Sequence, residues 1–312
     1  MIDSIKKEIA KVVVGHDELI DAMLIALFSG GHILVEGVPG VAKTTAVKSL
    51  ASTLGFDFKR VQFTPDLLPG DIIGSEIFDL KNNDFTIKKG PIFTNLLLAD
   101  EINRASAKVQ SALLEAMAER QVTIANKSFK LQSPFMVLAT ANPIDQEGVY
   151  DLPEAQLDRF MLKVNVDYNS FEQELEVVLK VANQAGKKIN QIIDKNGFEA
   201  IKDKINAVFV DNEVAKYMLK LVFATREPQN YGLDEIKEYI DFGVSPRGSI
   251  DLYKASRARA YLNDKEFVTP SDIAQVAFMV LSHRIVLSYK AAEDRVDCRD
   301  IIEKIIEKVA AP

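Results

Sequence analysis

The sequence contains no tryptophan and a single cysteine, Cys298. One cysteine excludes an internal disulfide framework and fits a reducing compartment, so the cytoplasm is the expected location. Only three histidines occur, His16, His32 and His283, far apart and without metal-ligand spacing. They read as surface or satisfied core residues, not zinc ligands. No run approaches the roughly 18 consecutive apolar residues that a membrane span needs. The N-terminal pattern Ile2-Ile5-Ile9-Val12 is helical and lacks the uninterrupted apolar stretch of a signal peptide. Excess positive charge is missing too: 38 Lys and Arg stand against 45 Asp and Glu, a net charge of −7. Dedicated nucleic-acid binders concentrate positive charge to offset phosphate repulsion, so that class is disfavoured.

What is present is the balance of an ordinary globular chain, 47% hydrophobic and 27% charged over 312 residues. That length allows one or two domains with a buried core. In the first half, strand-like runs occur at His32–Glu36, Phe58–Phe63, Asn95–Asp100, Phe135–Thr140 and Lys163–Tyr168. Helical patterns separate them at Asp17–Ser29, Lys43–Leu54 and Ala105–Arg120. Apolar strands alternating with helices predict a parallel sheet covered on both faces. Two segments break the rhythm. Residues 66–91 are rich in turn signals (Pro69-Gly70, Gly74, Asn82-Asn83, Gly90-Pro91) and too long for an ordinary connection. Residues 121–131 alternate around Asn126-Lys127, which predicts a hairpin.

From about Asn169 the composition turns to Glu- and Lys-rich helical patterns. They fall at Phe171–Ala185, Glu213–Arg226, Leu233–Phe242, Pro246–Leu262, Ser271–Val286 and Arg299–Ala310. Ser245-Pro246 and Thr269-Pro270 are helix starts, with proline in the first turn. The expected organisation is an α/β domain over residues 1–168 and an all-helical one over 169–312.

The segment Gly37-Val38-Pro39-Gly40-Val41-Ala42-Lys43-Thr44-Thr45 follows a strand and opens a helix. Such a loop wraps phosphates with backbone N–H groups at the positive end of the helix dipole. Lys43 would reach the β- and γ-phosphates of ATP, and the Thr44 hydroxyl would ligate Mg²⁺. The pattern calls for glycine directly before the lysine, and Ala42 stands there. If that position needs a positive φ, alanine costs on the order of 1 kcal/mol. The strand Leu96-Leu97-Leu98-Ala99 ends in Asp100-Glu101. Asp100 would hold the metal through water, and Glu101 would orient the attacking water or take its proton.

Asn142 follows another strand, where its amide could face the γ-phosphate; a turn asparagine before proline reads equally well. Arg159, in Leu157-Asp158-Arg159-Phe160, and Arg247, in the first turn of its helix, complete the set. A cation at a helix N-terminus opposes the dipole, which suggests an anion as its target. A solvated surface arginine is the alternative at both positions.

At these residues the chain resembles the MoxR-type ATPases of the AAA+ superfamily, nearly end to end. The loop Gly-x-Pro-Gly-x-Ala-Lys-Thr matches a family form, so Ala42 is a family variant. The stretch Leu96–Glu119 is similar to the family's Walker-B region and following helix. The stretch Thr140–Phe160, with Ala-Asn-Pro, Gln146-Glu147-Gly148 and Leu-Asp-Arg-Phe, resembles the family with similar specificity. The resemblance implies a P-loop sheet sandwiched by helices, then a helical lid domain. It implies that Asn142 is the sensor-1 residue, Arg159 the arginine finger and Arg247 the sensor-2 arginine. Val14 and Gly15 would line the adenine, residues 66–91 would be the helix-2 insert and 121–131 the pre-sensor hairpin. Rings, usually hexamers, and chaperone-like remodelling of a protein client with a von Willebrand A-domain partner are implied as well.

Two other functions compete. A DNA or RNA translocase would share the insert and hairpin, but the hairpin offers only Lys127 and Lys130. A nucleotide-gated scaffold would need little turnover, against which the set Lys43, Asp100, Glu101, Asn142 and Arg159 argues.

Overall fold

A computed structural model of the chain describes residues 1–38, 40–142, 150, 152–183 and 188–312. In chain order the first elements are α1 (Ile2–Ile9), α2 (Asp17–Ser29), β1 (Ile33–Gly37), α3 (Lys43–Leu54) and β2 (Phe58–Gln62). Next come α4 (Pro69–Ile73), β3 (Gly74–Asp79), β4 (Asp84–Lys89), β5 (Leu96–Asp100) and α5 (Ala107–Glu119). Then follow β6 (Gln121–Ile124), β7 (Lys127–Lys130), β8 (Met136–Ala141), α6 (Glu154–Leu157), β9 (Leu162–Val166) and α7 (Phe171–Asn183). The remainder is α8 (Lys195–Ala207), α9 (Asn212–Arg226), α10 (Asp234–Lys237), β10 (Ile240–Phe242) and α11 (Pro246–Leu262). It closes with α12 (Pro270–Leu281), β11 (Val286–Leu287), α13 (Tyr289–Glu293) and α14 (Cys298–Lys308).

The five-stranded sheet has the order β2-β5-β8-β1-β9. Ladders β2–β5, β5–β8 and β8–β1 are all parallel. Leu96, Leu97, Leu98 and Ala99 are fully buried, as a central strand covered on both faces requires. The sheet is flanked by helices. Helix α2 is apolar on nearly every side, and Leu19, Met23, Leu24 and Ile25 are all buried. It ends at Gly30, whose φ of +72° is the left-handed conformation that glycine adopts without strain. Residues 66–91 contain α4 and the antiparallel pair β3–β4. Strands β6 and β7 form the predicted second hairpin, with Gln121 opposite Lys130 and Ile124 opposite Lys127.

By contacts the described chain forms two compact units, Met1–Leu152 with Val164–Phe198, and Pro153–Lys163 with Glu199–Pro312. The boundary expected at 168/169 falls within the first of them. Residues after 168 pack on the sheet unit: Lys180 Nζ donates to the Ala10 carbonyl at 3.1 Å, and Ile192 N to the Thr53 carbonyl at 2.8 Å. Phe198 stacks on Phe28 with centroids 5.0 Å apart.

The second unit is mainly helical and contains one short ladder. The helix expected over Leu233–Phe242 stops at Lys237, and Ile240–Phe242 pairs antiparallel with Val286–Leu287. Helix α12 correspondingly ends at Leu281, short of Val286, because residues 286 and 287 are taken by that ladder. Tertiary pairing has overridden helical periodicity at both places. Helix α8 lies where the sequence pattern marks no element. The strongest start signal is at Thr269, where Asp272 accepts from the Thr269 amide at 2.9 Å and Thr269 Oγ1 donates to Asp272 at 2.6 Å.

Candidate functional site

Strand β1 delivers the chain to Gly37, where a Cβ would stand 2.2 Å from the Val166 carbonyl oxygen. No side chain fits there, which is why the loop begins on glycine. The loop then turns through Gly40 (φ +89°) and Ala42 (φ +56°) into α3. The positive φ required at the residue before the lysine is therefore present, and Ala42 adopts it despite its Cβ. Lys43 opens the helix, and its Nζ donates to the Gly37 carbonyl at 2.8 Å. Half-burial lowers the Lys43 pKa by desolvation, and the charges of Asp100 and Glu101 oppose that shift.

The acids lie at the C-terminal end of β5. Thr140, fully buried on β8, ties them together: its Oγ1 donates to Asp100 Oδ1 at 2.6 Å and accepts from the Glu101 amide at 2.9 Å. Glu101 sits at φ +58°, ψ +52°, a left-handed conformation that is costly for a side chain this size. Neighbours hold both carboxylates. Arg60 Nε and Nη2 donate to Asp100 Oδ2 at 3.0 and 2.6 Å. Gln62 Nε2 donates to Glu101 Oε2 at 2.8 Å, and Arg104 Nε stands 3.2 Å from the same oxygen.

These side chains converge on one open cavity of about 340 Å³. Its lining includes Gly37, Gly40, Val41, Ala42, Lys43, Thr44, Thr45, Asp100, Glu101 and Asn142. These expected site residues thus meet in a single place at the C-terminal ends of parallel strands, where ligands bind in open α/β sheets. Arg60, Gln62 and Thr140 line it too. Val38, Val14 and Gly15 are not on its wall. Val14 is buried, and a Cβ on Gly15 (φ +70°) would press on Asn169 Oδ1 at 2.7 Å. Pro39, Pro143 and residues 146–148 lie outside the described residues.

The chain belongs to the MoxR-type AAA ATPases. Two family models match it: the ATPase family associated with various cellular activities over residues 32–162, and the AAA lid domain over 234–305. It is 44% identical over 305 residues to chaperone MoxR1 of Mycobacterium tuberculosis, covering 98% of this chain and 81% of that one. With protein MoxR of Paracoccus denitrificans it shares 31% over 295 residues, 89% of this chain and 86% of the other. A crystal structure of a Cytophaga hutchinsonii protein assigned as an ATPase superposes with a TM-score of 0.95 at 48% identity. That match covers 100% of this chain and 94% of the other. Membership makes this MoxR-type chain an ATP-hydrolysing enzyme.

Its remaining two candidates are in the second unit. Arg159 follows α6 and directly adjoins Asp158. Arg247 is the second residue of α11; its Nη1 lies 3.7 Å from Asp158 Oδ2 and 3.4 Å from the Asp158 carbonyl oxygen. Asp158 also accepts from Ser245 Oγ at 2.9 Å and from Arg284 Nε at 2.8 Å. Arg284, with a side chain only 1% exposed, also pairs with Asp251 at 2.6 Å. Burial raises the Asp251 pKa, and the Arg284 charge acts against that rise.

Arg60, Gln62, Thr140 and Arg284 carry no motif, so spacing and periodicity do not mark them as site residues. The first two had a weak signal. Strand β2 alternates so that Arg60 and Gln62 share a face, and its register sets Gln62 opposite Asp100. Arg284 had none, because its partners lie 33 and 126 residues away in sequence.

Proposed function

We propose that this ATPase binds ATP in the cavity between the loop at residues 37–45 and the end of β5. It would use hydrolysis there for chaperone-like remodelling of a protein client. The observation that supports this most is the convergence of Lys43, Thr44, Asp100, Glu101 and Asn142 on one cavity. Loop amides and Lys43 cradle the β- and γ-phosphates, with the helix dipole of α3 behind them. Glu101 orients water for in-line attack, and Asn142 bonds that water or the γ-phosphate. Val14 and Gly15 line the adenine side, and Val38 belongs to the phosphate loop.

Thr44 and Asp100 offer hard oxygen donors, the chemistry that Mg²⁺ takes alongside phosphate oxygens. Among the described residues no cluster of three His, Cys, Asp or Glu exists to bind a metal by itself. That donor set suits an ion that arrives with its nucleotide. Bound Mg²⁺ would neutralise charge on the phosphates.

Arg159 is the finger that completes a neighbouring subunit's site in a ring, and Arg247 is the second sensor of nucleotide. The client role rests on the kinship with chaperone MoxR1. A von Willebrand A-domain partner belongs to the same proposal. No helix among the described residues is long and apolar enough to cross a membrane.

Replacing Glu101 by Gln tests the chemistry. The variant should bind ATP as well as the parent yet hydrolyse it far more slowly, because only the water-orienting carboxylate is lost. Wild-type turnover in that variant would remove Glu101 from the mechanism. In the same variant, clients and partners held in the ATP state should co-purify.

A further inference from the structure

Arg284 grips the chain on both sides of Arg159. Its Nε donates to Asp158, and its Nη2 donates to Asp251 and, at 2.8 Å, to the Phe160 carbonyl. Its Nη1 donates to the carbonyls of Val280 and, at 3.2 Å, Met161. Three of these acceptors, Asp158, Phe160 and Met161, bracket Arg159 in sequence. Helix α11 leaves room for the stem: a Cβ on Gly248 would stand 3.0 Å from Arg284 Cδ and 2.3 Å from Val244 Cγ1. Burying a guanidinium requires that its donors be satisfied, and apolar replacements of buried ion pairs are often neutral or stabilising. The best attested use of such a group is fixing geometry. Here the geometry fixed is that of the segment bearing Arg159.

We infer that Arg284 is the positioning residue for Arg159, acting through Asp158 and the carbonyls of Phe160 and Met161. The same Asp158 carboxylate is shared with Ser245 and Arg247 at the start of α11. One buried cation therefore sets the stretch Asp158–Met161 against the helix that presents Arg247. This inference rests on the proposed reading of Arg159 as a finger acting on a neighbouring subunit.

The test uses two variants of the full chain. Arg284→Lys keeps the charge and loses the planar fork; Asp158→Asn keeps the shape and loses the charge. Each should keep ATP affinity within a few-fold of the parent, the margin left to Arg247, and lower turnover on the order of 10- to 100-fold, the effect of displacing a catalytic group by about 1 Å. Mixing either with Lys43→Ala chains, under subunit exchange, should recover activity. The Lys43→Ala chain has a broken pocket but a correctly set Arg159. A merely structural role would lower ATP binding along with turnover, and mixing would not restore turnover. If Arg284→Lys does not fold, Asp158→Asn, whose carboxylate is partly exposed, carries the test by itself.

Arg159→Ala runs beside them as the reference. If it is recovered by mixing while Asp158→Asn is not, or if Asp158→Asn turns over like the parent, the positioning role is overturned. If Arg159→Ala itself keeps full turnover or is not recovered, the finger reading fails, and this inference with it.

Discussion

Two arginine–aspartate pairs divide the molecule's labour. Arg60–Asp100 lies in the cavity at the end of β5 at 2.6 Å, with the arginine side chain 48% exposed. Arg284–Asp158 lies in the second unit at 2.8 Å, with the arginine 1% exposed. The distances are alike and the physics differs. An exposed pair contributes roughly 0–1 kcal/mol, so Asp100 can exchange Arg60 for another cation at little cost. A buried pair is hard to separate, because either charge left alone in the interior is strongly destabilising. The carboxylate in the cavity is thus held by an exchangeable contact, and the segment carrying Arg159 by a fixed one.

The largest effect should come from the cavity. Lys43→Ala removes the half-buried cation that the proposed function sets against phosphate, and truncating such a charge should weaken ATP binding on the order of 100-fold or more. Titration with a fluorescent ATP analogue reads this directly, and affinity within a few-fold of the parent would place the phosphates elsewhere. Next comes the comparison itself. Arg284→Met leaves Asp251 without its cation and removes the most buried of Asp158's partners, and should cost about 3 kcal/mol in urea unfolding followed by circular dichroism. Arg60→Met should cost about 1 kcal/mol or less. Equal losses would mean that exposure does not separate the two pairs.

Much of the fold and the cavity was legible in the sequence, though unevenly. Helices α2, α3 and α11 have the bounds that periodicity predicts, because apolar spacing, glycine stops and Pro246 act locally. The loop at Gly37–Thr45 and the acids after Ala99 were readable because each is a contiguous motif. Tertiary pairing was not readable. Strands β10 and β11 are very short and far apart in sequence, so only the fold brings Phe242 beside Val286. Arg284 was invisible for the same reason, since nothing near it in sequence announces Asp158 or Asp251.

A smaller effect should appear with acid, and it acts on both units. His32 is fully buried, and the Val137 amide donates to its Nδ1 at 2.9 Å. Its proton therefore sits on Nε2, facing the Met117 carbonyl at 3.2 Å, and the ring is neutral. Burial first, and the charge of Arg120 second, lower its pKa to about 3 from an ordinary 6.5. His283 is lowered in the same direction by burial and by Arg284. The unfolded chain then binds protons that the folded chain refuses. Stability is complete above pH 6.5 and falls as pH drops from there toward 3. For His32 this is about 1.4 kcal/mol per pH unit in that window. Urea midpoints at neutral pH and one unit below 6.5 should show the loss, and His32→Gln should reduce it. An unchanged slope in that variant would mean that His32 is not the group being protonated.

The smallest effect concerns strain in the cavity, which the buried cluster does not share. Ala42 and Glu101, both on the cavity wall, hold positive φ, +56° and +58°. For alanine the left-handed conformation costs roughly 1–2 kcal/mol, from the clash of its Cβ with the following carbonyl. Ala42→Gly removes that clash. It also gives the unfolded chain more freedom, which offsets roughly 0.5–1 kcal/mol of the gain. The net expectation is a stabilisation of about 1 kcal/mol or less, read as a small rise in the urea midpoint. ATP affinity should hold, because the backbone N–H groups that would face phosphate are the same in both chains. A destabilised Ala42→Gly would show that the methyl group makes contacts worth more than its strain, and that the loop is held by packing and not by backbone preference alone.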